Sequence, residues 1–140
     1  MKIYSADTWT LEELQEQVSD AGRRTILVPP ADTKKAVLEV FGQVLDFPEY
    51  YGVNLDALND SLHDFADSLS EDGDAPVTMI WQVPAAYRTD RSFGVVCEIL
   101  QDAERYAGRD LAVIAVFQHD SANGLVDPNL GHRLKPTGRP

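Results

Sequence analysis

Three short apolar runs, separated by segments with helical spacing, predict an α/β domain built on a small three-stranded parallel sheet packed by helices. The runs are residues 25–28 (Thr-Ile-Leu-Val), 77–83 (Val-Thr-Met-Ile-Trp-Gln-Val) and 111–117 (Leu-Ala-Val-Ile-Ala-Val-Phe). Between them lie two helix-forming stretches and then one more, so consecutive strands need crossovers and run parallel. No internal repeat and no linker divides the 140 residues, a length suited to one domain with its own core.

Residues 1–24 read as an N-terminal addition. An extended start is followed by Thr10 with Glu13 three residues on, a capping-box pattern, and Leu11, Leu14 and Val18 carry a helical stripe to about Asp20. Residues 25–28, a threonine followed by three aliphatic residues, predict a strand buried on both faces, and Pro29-Pro30 ends it. Asp32 is placed to cap a helix from about Thr33 to Leu45, with Ala36, Val37, Val40, Phe41, Val44 and Leu45 inward. Pro48 and Gly52 mark a turn, and Asn54 is a good N-cap for a helix over 55–69. A polar loop is expected over 70–75. The 77–83 strand stops at Pro84, a helix over 93–106 turns Val95, Val96, Ile99, Leu100 and Ala103 inward, and the 111–117 strand follows. From about Ser121 onward Asn, Gly and Pro recur, and Arg133, Lys135 and Arg139 outnumber acids, so 121–140 reads as a tail.

Composition is ordinary for a globular protein, at 44% hydrophobic and 25% charged, but the formal net charge is −11. That charge argues against nucleic acid as a direct ligand, because phosphates must be met by Lys and Arg. It suits a basic protein, a metal ion or solubility alone. Cys97 is the only cysteine, so no disulfide forms within the chain and a cytoplasmic setting is expected. No signal core is evident and no apolar run reaches the ~20 residues needed to span a bilayer, so no membrane partner is expected.

The charge is unevenly placed. Between Lys35 and Arg88 there is no Lys or Arg, while Glu39, Asp46, Glu49, Asp56, Asp60, Asp64, Asp67, Glu71, Asp72 and Asp74 all fall there. At about 100° per residue, Leu55, Leu58, Leu62, Phe65 and Leu69 share one side of the 55–69 helix. Asp56, Asp60, Asp64 and Asp67 share the other. Like charges four apart cost roughly 0.2–0.5 kcal/mol per pair, and Asp is a poor helix former. A face that only had to be wet would more often mix Glu with Lys. Asp56 and Asp60 are therefore read as facing a cationic partner, while the residues alone favour a solvated face for Asp64 and Asp67. One of Tyr50 and Tyr51 belongs to the core, and the other is free to present a ring beside the acids, as interface tyrosines do.

The segment from Phe47 to Phe65 resembles the barstar family, intracellular inhibitors of secreted bacterial ribonucleases such as barnase. The matching residues are Pro48, Glu49, Tyr50, Tyr51, Gly52, Asn54, Leu55, Asp56, Ala57, Leu58, Asp60 and Leu62. A weaker likeness runs from the strand at Thr25 to the one ending near Phe117 and includes Trp81, which sets a barstar-like domain at 25–120. The resemblance implies a three-stranded parallel sheet packed by helices. It also implies a function, in which the loop and helix at 50–60 plug the active site of a basic secreted ribonuclease or ribonuclease-like toxin. On that pattern Asp60 enters the pocket of the scissile phosphate, Asp56 pairs with neighbouring basic groups, and Tyr50 packs on the catalytic histidine. Asp102 supplies a further acid from the helix before the last strand. The partner-binding set is thus Tyr50, Gly52, Asn54, Asp56, Asn59, Asp60, Asp64, Phe65 and Asp102, with no cofactor and a monomer when free. Asn59 and Phe65 replace tryptophans of the family and Ser61 a cysteine, so the target need not be barnase itself.

Two other readings use the same acids. A metal-dependent hydrolase could hold Mg²⁺ or Ca²⁺ on stacked aspartates, but one straight helix seldom encircles an ion. His63, His119 and His132 lack paired metal spacing, no phosphate loop is evident, and Ser61, His63 and Asp64 cannot converge as a triad. The other is an immunity or regulatory module whose basic partner is not a ribonuclease, and it needs the same acidic face.

Overall fold

The computed structural model describes residues 1–48, 53–72 and 75–118. In chain order the elements are β1 (Lys2–Ser5), α1 (Leu11–Asp20), β2 (Arg24–Val28), α2 (Lys34–Val44), α3 (Leu55–Asp72), β3 (Val77–Val83), α4 (Ala85–Arg88), α5 (Ser92–Ala107) and β4 (Leu111–Phe117). All strand pairs are parallel and the sheet order is β1-β4-β3-β2.

The sheet has four strands, not three. Lys2 to Ser5 pair with Ile114 to Phe117, so part of the N-terminal addition is an edge strand of the same sheet. Four residues give too short a pattern for alternation to declare itself. The 25–28 run, expected to be buried on both faces, is the other edge; Val28 is fully buried and its neighbours only partly.

The central strands sort their side chains by parity. Val77, Met79, Trp81 and Val83 of β3 join Leu111, Val113 and Ala115 of β4 in the main core, against Val37, Leu38 and Phe41 of α2, Leu58 and Leu62 of α3, and Val96 and Leu100 of α5. Ile80 and Val116 point the other way, onto Leu14 and Val18 of α1. Each such fully buried aliphatic side chain contributes roughly 1.5–3 kcal/mol. The result is three layers, with α2, α3 and α5 on one face and α1 on the other. Trp81 is the hub of the main core: its ring lies 5.8 Å from Phe41, 6.2 Å from Tyr87 and 5.9 Å from Phe93, centroid to centroid.

Local signals explain most boundaries. The Thr10–Glu13 capping box forms in both directions, at 3.1 and 2.8 Å. Thr33 rather than Asp32 caps α2, because its hydroxyl is the one that reaches the Ala36 amide. Helix α3 runs three residues past 69, into the expected polar loop, since nothing before Gly73 breaks it. Pro84 ends β3 and also starts the one-turn α4, which seats the buried Tyr87 against Ser92 at 2.6 Å. Asp90 accepts from the Ser92 amide and hydroxyl, and these bonds hold its carboxyl below the usual range. Val95, expected inward, is exposed; Val96, Ile99, Leu100 and Ala103 form the buried stripe of α5. Gly108 closes α5 at φ 63, a conformation that disfavours residues with a Cβ.

Candidate functional site

Helix α3 is presented from the sheet by its apolar side. Leu58, Leu62, Ala66 and Leu69 are buried, with Leu55 and Phe65 packed against the main core. That fixes which way the opposite side faces. Asp56, Asp60, Asp64 and Asp67 are all exposed, as one stripe along the helix.

The start of the helix is set by Asn54, whose Oδ1 accepts from the Ala57 amide at 2.8 Å while its carbonyl accepts from Leu58 at 2.9 Å. That bond positions the helix. Replacing Asn54 by alanine should lower stability by about 1 kcal/mol, read as a reduced urea midpoint at unchanged slope. Val53, just before it, has φ 48, and a β-branched residue in that left-handed region is strained. Such strain persists only where the surroundings impose it, here on the approach to the acidic helix. Tyr50 and Gly52, the aromatic turn of the sequence pattern, lie outside the described residues.

Among the described residues no Lys or Arg makes an ion pair with any acid of α3; the two ion pairs are Met1 amine–Glu104 and Arg105–Asp102. The stripe therefore keeps its charge. Asp102 is exposed on α5, the helix that packs along α3, and its carboxylate is held by Arg105 one turn on. A cationic partner would have to share or replace that arginine. Asn59 is half-buried at the flank of the stripe, and its carbonyl is engaged by His63 Nδ1 at 2.8 Å. Phe65 is half-buried and packs against the main core.

The structure adds a contact that spacing alone did not single out. Tyr106 of α5, 55% exposed, donates its hydroxyl to Asp67 at 2.6 Å and lies 4.6 Å from the His63 ring. The bond to a carboxylate holds the phenol proton, raising the Tyr106 pKa. Asp67 is thereby tied to the α3–α5 seam and is not merely solvated. The available signal was an aromatic lying off the buried stripe of α5.

Chemically, the surface is a row of fixed carboxylates flanked by a tyrosine, able to meet guanidinium and ammonium groups in place of a phosphate. Among the described residues no group of three or more His, Cys, Asp or Glu side chains converges as a metal site. Burial pushes the Cys97 thiol up, which disfavours the reactive thiolate. No described helix is long and apolar enough to cross a membrane.

The family model described as Barstar (barnase inhibitor) matches residues 23–119, which include β2 to β4 and the whole of α3. No curated protein matches the chain.

Proposed function

The chain belongs to the barstar family, and from that premise we propose that it inhibits a basic microbial ribonuclease by covering its active site with α3 and the loop before it. The observation that carries this reading is the exposed stripe of Asp56, Asp60, Asp64 and Asp67, with no ion pair to a Lys or Arg among the described residues. Asp60 takes the place of the scissile phosphate, Asp56 meets the surrounding basic groups, and Asp102 approaches from α5. The protein itself catalyses nothing, and it acts in the cytoplasm as a monomer when free.

Carboxylates already fixed on a helix lose little freedom on binding, and they attract a basic enzyme from a distance. Both effects favour tight, fast capture. Asn59 puts a smaller, polar side chain at its own position on the flank than the tryptophan of the family pattern, so the target's rim is complementary to that smaller group. A basic toxin with another activity would use the same carboxylates.

Titration into a barnase-type ribonuclease, with RNA cleavage as the readout, is expected to abolish activity at one inhibitor per enzyme. Activity that persists at molar excess across a panel of such enzymes would reject a ribonuclease as the target.

A further inference from the structure

The face of the sheet opposite α3 is only partly covered. Helix α1 packs over β2, and a cavity of about 310 Å³ remains between α1 and the strands β1 and β4. Small-ligand sites begin at roughly 300 Å³. Tyr4, Ala21, Ala112 and Ile114, none of them fully buried, supply its accessible apolar lining, and Lys2 and Arg23 its positive charge.

Arg23 is held in place without being neutralised. Its Nε donates to Thr78 Oγ1 at 2.7 Å, one terminal nitrogen to the Arg109 carbonyl at 2.9 Å and the other to the Val77 carbonyl at 2.7 Å. All three acceptors are uncharged. A guanidinium carries five N–H donors, so two remain. Lys2 is exposed, and among the described residues neither cation makes an ion pair. The one carboxylate lining the cavity, Glu104, is engaged by the Met1 amine and by the Val113 amide at 2.7 Å. A molecule of net charge −11 thus lines one apolar cavity with two uncompensated cations.

We propose that this cavity binds a medium-chain aliphatic carboxylate, its head group on Arg23 and Lys2 and its alkyl chain along Tyr4, Ala21, Ala112 and Ile114. An immobilised guanidinium suits a carboxylate, because little order is lost when it binds. The apolar strip selects for a chain over a bare anion. The site is on the opposite face from α3 and is independent of ribonuclease binding.

The test is an amide-shift titration of the full chain with octanoate, with acetate and octylamine as controls. Octanoate is expected to give saturable shifts confined to residues 2–4, 14–23 and 112–114, with neither control reproducing them. Lys2→Glu, at an exposed position, is expected to weaken octanoate binding at least fivefold with the spectrum otherwise unchanged; Arg23→Gln should weaken it further where it folds. Absent or scattered shifts with octanoate, equal binding of octylamine, or unchanged affinity in Lys2→Glu would each overturn the proposal.

Discussion

Replacing Asp60 by alanine is expected to weaken binding to the target ribonuclease by about 2–5 kcal/mol, the range typical when one member of a buried charge pair is truncated and its partner is left unmatched. The same change should leave the free protein as stable as before, or more so. Asp60 is exposed and lies four residues from both Asp56 and Asp64. Its removal relieves two like-charge contacts of roughly 0.2–0.5 kcal/mol each, and alanine is the better helix former. Affinity and stability should therefore move in opposite directions, which a general unfolding effect cannot produce. Calorimetric titration and a thermal melt of the same variant give the two numbers. Unchanged affinity at unchanged stability would place the binding surface elsewhere.

The second large effect concerns the platform. Trp81→Ala should cost about 3–5 kcal/mol, because Trp81 is 1% exposed and its removal opens a void between Phe41, Tyr87 and Phe93. Against total stabilities of roughly 5–15 kcal/mol this is a large share. Urea unfolding should show the loss as a lower midpoint at similar slope. Those molecules that remain folded should still bind, since Trp81 lies under the helices and contributes nothing to the acidic face. A loss below about 1 kcal/mol would mean that the core closes over the void, contrary to the tight aromatic cluster described.

The parts of the fold that were legible in the sequence are those set by local spacing. The strands at 77–83, apolar but for Thr78 and Gln82, and at 111–117, apolar throughout, emerge at those bounds as β3 and β4. The spacing of the apolar stripe of α3 alone puts four aspartates on the outer face, where all four are exposed. What escaped notice depends on partners distant in sequence. Lys2 to Ser5 become a strand only because β4 offers an open edge, and Asp67 is tied to the seam only because Tyr106, 39 residues later, reaches it. The missed turn at α4 follows from Pro84, which was read as a stop when it also begins a helical turn around Tyr87. The cap made by Asn54 and the packing of Phe65 on the core also set where the helix lies.

The central claim is that the exposed carboxylates of α3 draw in and hold a basic enzyme. Stopped-flow association with a barnase-type ribonuclease, measured from low to high salt, tests this most directly. The account predicts a rate near 10⁸–10⁹ M⁻¹s⁻¹ at low ionic strength, of the order seen for steered pairs, falling steeply as the screening length drops to about 8 Å at physiological salt. Converting Asp56, Asp60, Asp64 and Asp67 together to asparagine should flatten that dependence. A rate indifferent to salt in the wild type, or a dependence unchanged in the fourfold variant, would contradict it.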